Sequence, residues 1–253
     1  MTGMHDLLAQ IPAAVADLIG RIPEFLGRMA APNVSRTTVA VVVVIAIALA
    51  VPRVTWRWFG LFTTLVHELG HAFPALATGR FVHGIRIRAD HSGSASSSGS
   101  WLSSVVSGFA GYPAPALVGM ALIRSVFAGY STAAFAVSTV IVLLTLLFIR
   151  NLFGVLVVVA TAATSAAFWL WGSTEMQVCA LLVLAVVLLV GGVRGVVNVT
   201  SVYIGRREEL ESSDAYLLFR RTGLPSPVWL TGFAAVTGWA VWMSAASVLG
   251  SLS

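Results

Sequence analysis

An all-α integral membrane protein is the fold class this chain predicts, on three observations. Of its 253 residues 58% are hydrophobic and 10% charged, whereas soluble domains carry about 25% charged residues. The apolar residues gather in stretches of about twenty, the length that crosses a bilayer's hydrocarbon. All fifteen basic residues are Arg, and most flank the apolar stretches, where topology-setting charges are found.

The first 35 residues form a segment of their own. Leu8, Ile11, Val15, Leu18, Ile22, Phe25 and Met29 recur near a helical period, with Asp17, Arg21, Glu24 and Arg28 between them and Pro12 and Pro23 as kinks. This pattern predicts an amphipathic helix lying in the membrane interface or docked on protein. It lacks a basic start followed by an unbroken apolar core, so it is not read as a signal peptide. Residues 36–253 then form the polytopic membrane domain.

About seven transmembrane helices are expected, over residues 36–54, 57–78, 102–123, 131–149, 152–172, 176–197 and 227–250. Only Arg150 and Asn151 separate the fourth from the fifth, which predicts a tight helical hairpin. Two loops carry distinctive sequence. Residues 79–101 begin with β-like alternation through Val82, Ile85 and Ile87 and turn Ser- and Gly-rich. Residues 205–227 read as a charged turn and a short helix, capped by Ser212 or Ser213 and ended by Gly223 and Pro225.

With seven spans, twelve Arg fall on the N-terminal side of the membrane against Arg53, Arg57 and Arg124 opposite. The positive-inside rule then places the N-terminus and both loops in the cytoplasm. A multi-pass protein of the plasma membrane is expected. Arg without Lys, with abundant Ala, Val and Gly, points to a bacterial source. A net charge of +5 spread beside apolar stretches argues against nucleic acid as a partner, and Arg86 and Arg88 suit lipid phosphates. The single Cys179 excludes a disulfide framework. Oligomeric state is not readable.

One stretch breaks the apolar pattern. In "TLVHELGHAF", residues 64–73, three ionisable groups stand where a spanning helix normally has none, and one charge near the bilayer centre costs about 2.5–3.5 kcal/mol. Four residues apart on a helix, His67 and His71 share a face and can hold one metal ion, with Glu68 placed as general base. This is the H-E-x-x-H arrangement of zinc hydrolases. A water-filled transporter cavity or a catalytically silent metal-binding scaffold is the competing reading, although a scaffold has no use for Glu68. Downstream, Gly108 and Gly111 permit close helix approach while Pro113 and Pro115 free carbonyls. That segment borders the cavity or serves packing alone.

Taken together, "HELGH" in a membrane segment, the Arg-bearing β-like loop, "AGYPAPALVG" at residues 110–119, "SDAYLL" and "TGLP" resemble the site-2 protease family, intramembrane zinc metallopeptidases, in a compact bacterial branch. The resemblance runs from about residue 60 to residue 230. It implies a Zn2+ cofactor, a membrane-protein substrate cut in or beside its transmembrane segment, and a third ligand from a distant Asp. The family's usual "LDG" is missing, and Asp214 in "SDAYLL" matches the bacterial branch. Asp90 and Asn151 stay open as alternatives, Asn151 also as an oxyanion donor. His83 and His91 read as ordinary loop residues. Val82, Ile85 and Ile87 are expected to pair with an unwound substrate as an edge strand, with Gly111 beside it.

Overall fold

The computed structural model describes residues 26–252 except 30, 31 and 33. The expected N-terminal amphipathic helix lies almost wholly outside the described residues. Helices dominate: α1 Arg36–Ala50, α2 Arg53–Ala77, α3 Trp101–Ala110, α4 Ala114–Phe127, α5 Ser131–Thr145, α6 Leu152–Trp171, α7 Thr174–Gly205, α8 Asp214–Thr222 and α9 Ser226–Gly250. A hairpin of β1 Phe81–Ile87 and β2 Gly93–Ser98 follows α2, and a 3-10 turn, Arg207–Ser212, precedes α8.

Local chemistry fixes the helix ends. Ser35, Ser100, Ser173 and Ser213 each accept a backbone N–H from the first turns of α1, α3, α7 and α8, satisfying donors that a helix start leaves orphaned. Gly223, at φ 76, ends α8 in the left-handed conformation, which suits a residue without Cβ.

Each of the seven apolar segments contains a helix, yet helices and crossings are not the same number. Among the described residues α6, α7 and α9 are long and apolar enough to cross a bilayer. The pairs α1–α2 and α3–α4 are bent by 95° and 64°, and counting each pair as one span gives up to five. At 15 residues α5 is short. The expected count of seven gave 36–54 and 57–78 a span each and read 102–123 as one straight span; Pro52 stands at the corner between the first two, and Gly111 to Pro113 break the third, where proline interrupts the hydrogen-bond ladder.

At the α1–α2 corner the carbonyls of Ala50 and Val51 accept from the Arg194 guanidinium of α7, at 2.9 and 3.1 Å. That guanidinium also lies over the Trp56 ring, 4.3 Å from its centre.

Of four buried clusters among the described residues, the two largest organise the molecule. In the first, Ala116, Leu122, Ile123 and Val126 of α4 meet Leu181, Leu182, Ala185 and Leu188 of α7. Gly119 approaches the Ala185 carbonyl and Gly192 approaches Ala116 so closely that no Cβ would fit comfortably. In the second core, Leu61, Leu65 and Leu69 of α2 pack with Val82, Ile85 and Ile87 of β1 and with Val158 and Ala162 of α6.

The hairpin differs from its expected form. β1 and β2 pair antiparallel from Phe81↔Ser98 to Ile87↔Gly93, and a shift between Val82 and Gly84 leaves His83 as a bulge. The Ser/Gly-rich stretch is therefore a strand. Residues 146–151 are no minimal helix turn either: Ile85 donates to Phe148 O at 2.8 Å and accepts from Arg150 N at 2.9 Å. Asn151 then extends the pairing with its side chain, Nδ2 donating to Ile87 O and Oδ1 accepting from Ile87 N.

Candidate metal centre

Helix α2 carries His67 and His71 one turn apart, and their Nε2 atoms lie 3.1 Å from each other. Asp214, the first residue of α8, brings Oδ2 to 3.5 Å from His67 Nε2 and 3.2 Å from His71 Nε2. Ser213 positions it twice, capping α8 and bonding the Tyr203 hydroxyl at 3.0 Å. Ligands at about 2.0–2.1 Å around a tetrahedral zinc are separated by about 3.3 Å. The three spacings match that edge, and two imidazoles with one carboxylate suit zinc chemically. His67, His71 and Asp214 form the metal-capable cluster among the described residues.

The histidines are held from behind. His71 Nδ1 donates to the Ser107 carbonyl at 2.8 Å, which leaves Nε2 of a neutral ring as the lone-pair donor. The Ser107 hydroxyl returns a bond to the His71 carbonyl at 2.7 Å. Gly111 lies against the His71 imidazole, and a side chain there would overlap it. Tyr112 stands edge-on to His67 with ring centres 4.7 Å apart. Thus the break between α3 and α4, expected near a substrate, shapes the histidine pair itself.

Glu68 is 3% exposed, and its Oε2 is buried without a hydrogen-bond partner. A lone carboxylate oxygen in such a place is costly unless something else engages it. The start of β2 presses on it: a Cβ at Gly93 would collide with the Glu68 carboxylate. The hairpin tip is seated separately. His91, at φ 67, lays its ring over Gly60, stacks on Trp56 and accepts the Thr64 hydroxyl at its carbonyl, 3.1 Å away.

A cavity of about 1280 Å³ joins these groups, lined by α2 from Trp56 to His71, by the β2 strand, by Tyr112 and by α7 around Gly191 to Ser201. The other candidates fall elsewhere. Asp90 is exposed and accepts Ser92 N and Oγ at 2.9 and 2.6 Å, bonds that hold its carboxyl below the usual carboxylate range. Asn151 is occupied by Ile87, and His83 bonds Ser98 at 2.8 Å on the surface.

Val82, Ile85 and Ile87 need correction as substrate contacts. Their side chains are buried against α2 and α6, and both edges of β1 are taken, by β2 and by residues 148–151. Of the two strands β2 keeps an open edge, along which Arg80 claims only the Ser97 carbonyl, at 2.7 Å. Sequence reasoning missed Tyr112, Ser107 and Gly93. The first two were legible only as hydroxyl groups inside an apolar segment.

A family model described as Peptidase M50B-like matches residues 40–244. The chain belongs to that family. This agrees with the site-2 protease resemblance of its motifs and, with the apolar helices, makes it a membrane protein of a peptidase family. Neither the curated proteins nor the solved structures gave a match.

Proposed function

We propose that the protein is an intramembrane zinc metalloprotease that hydrolyses a peptide bond in or next to the transmembrane segment of a membrane-protein substrate. The observation that carries this reading is the convergence of His67, His71 and Asp214 at 3.1–3.5 Å beside an unpartnered buried carboxylate oxygen of Glu68. His67, His71 and Asp214 would hold zinc, with Gly111, Ser107 and Tyr112 fixing the imidazoles. When bound there, zinc polarises a carbonyl and lowers the pKa of water towards about 7.

Glu68 serves as the proton carrier, taking a proton from the attacking water and returning it to the leaving amine. Its lack of a protein partner leaves that oxygen available for water. A helical substrate must first expose its main chain, and the open edge of β2 offers replacement hydrogen bonds. Because Gly93 abuts Glu68, a segment paired along β2 passes the proton carrier. The substrate-pairing role thus moves from Val82, Ile85 and Ile87 to residues 93–98.

For the setting, the composition of Arg without Lys supports a bacterial plasma membrane, and the Arg asymmetry, counted over seven spans, supports a cytoplasmic N-terminus with residues 1–35 as a peripheral segment ahead of the membrane domain. A silent metal-binding scaffold would make no use of Glu68. Metal analysis and proteolysis of purified wild type beside Glu68→Gln separate the two. The protease reading requires one zinc per chain in both proteins and cleavage by the wild type alone; cleavage by Glu68→Gln at the wild-type rate would remove it.

A further inference from the structure

Hydrolysis at this centre leaves one requirement without a residue. As the scissile carbonyl carbon becomes tetrahedral, negative charge gathers on its oxygen, and a donor already aimed at that oxygen is commonly among the largest contributions to rate. Asn151, the sequence's candidate donor, spends its amide on Ile87. The hydroxyls beside the triad are mostly spent as well. Ser107 donates to His71 O at 2.7 Å, Thr64 to Gly60 O and His91 O at 3.1 Å each, and Thr63 faces Phe59 O at 3.5 Å.

Tyr112 is different. Its ring is fixed edge-on to His67 at 4.7 Å and stacked on Phe233 at 4.9 Å, with one edge 3.6 Å from where a Cβ on Gly195 would stand. The residue lines the cavity. Among the described residues its hydroxyl has no hydrogen-bond partner. A rigidly held phenol with an unspent O–H, one ring away from a metal-capable histidine, is a preorganised donor.

We propose that Tyr112 is a further catalytic residue, whose hydroxyl donates a hydrogen bond to the carbonyl oxygen of the scissile peptide as charge builds there. This rests on the proteolytic reading above. The water oxygen bonds to the carbonyl carbon, its proton passes to Glu68, and the carbonyl π pair moves onto the oxygen facing Tyr112. The phenol keeps its proton. Collapse re-forms the carbonyl, breaks the C–N bond and sends the Glu68 proton to the departing amine.

Tyr112→Phe removes one oxygen and preserves both ring contacts. Wild type, Tyr112→Phe and Arg221→Gln would be compared on self-quenched fluorescent casein, with zinc content and affinity for a peptide hydroxamate measured on the same preparations. Arg221 is included because it also lines the cavity. The expected result for Tyr112→Phe is kcat lower by about 10²-fold, KM within about twofold, unchanged zinc, and weaker hydroxamate binding by about tenfold. Wild-type kcat in Tyr112→Phe overturns the proposal, and so does a loss that tracks missing zinc. Loss in Arg221→Gln alone reassigns the donor to Arg221 and overturns it too. Should the wild type cleave no casein, the proteolytic reading fails separately; hydroxamate affinity still decides the hydroxyl, and an unchanged value counts against it.

Discussion

The α4–α7 core and the α2 face are built by opposite rules. Between α4 and α7, alanines and glycines let two helices close on each other, Gly119 reaching the Ala185 carbonyl and Gly192 reaching Ala116. On the α2 face Gly70 packs in the same way on Ala110 and Ala114, but three other glycines admit functional groups: Gly60 receives the His91 ring, and Gly111 and Gly93, from other elements, approach His71 and Glu68. The same residue type packs helices in one region and makes space for imidazole and carboxylate in the other. An unpartnered polar oxygen is tolerated at Glu68 because that region is organised around a cavity.

The strongest way to break this contrast is to damage each side once. His67→Ala or His71→Ala is expected to abolish stoichiometric zinc binding and proteolysis, since two remaining protein ligands do not complete a tetrahedral site. Leu188→Ala, at a fully buried position of the α4–α7 core, should instead cost about 2–5 kcal/mol of stability. Metal analysis of the folded fraction should then find its zinc unchanged. Zinc loss in Leu188→Ala would mean that the two regions are not separable.

Asp214→Asn against Asp90→Asn comes next. Losing a ligand carboxylate should weaken zinc by more than the about 10–100-fold that loss of a supporting partner costs, whereas Asp90→Asn should leave it unaltered. Titrations belong at one fixed pH, because protons compete for the ligands. Equal affinities in the two variants would leave the third ligand unassigned.

A smaller effect is expected at Gly93→Ala, where the added methyl must displace either the hairpin or the Glu68 carboxylate. Cleavage should fall by about tenfold, about 1.4 kcal/mol, with zinc retained; undiminished cleavage would show that β2 does not position the substrate. Asn151→Ala should cost about 1–3 kcal/mol locally by orphaning the Ile87 N–H and carbonyl, seen as faster amide exchange in β1 with zinc intact.

The smallest effect lies at the hairpin tip. The Ser92 bonds lower the folded-state pKa of Asp90, so their stabilisation is full above the carboxyl's unfolded pKa and fades as pH falls through the lower folded value. Exchange of the Ser92 amide should accelerate only on acidification below the usual carboxylate range. In Asp90→Asn that pH dependence should vanish.

Legibility in the sequence followed the range of the interactions. His67, Glu68 and His71 are set by a helical period, and the α8 boundaries by Ser213 and Gly223, so local rules sufficed. Asp214 could be nominated only through a family likeness, because its approach to α2 depends on how α8 docks. The break at Gly111 to Pro113 turned one expected span into a bent pair, which hydropathy over a straight window does not register. Asn151 shows a related limit. Its amide looks like a catalytic donor in one dimension and serves as a strand partner in three.

The Arg194 clamp on the α1–α2 corner bears on the order of assembly. The carbonyls of Ala50 and Val51 leave the ribosome 144 and 143 residues ahead of the guanidinium that satisfies them. Until α7 is synthesised and seated, the corner lacks this side-chain donor. The metal-capable cluster comes together later still, because Asp214 lies beyond Arg194 in the chain and reaches the histidines only once α8 has docked.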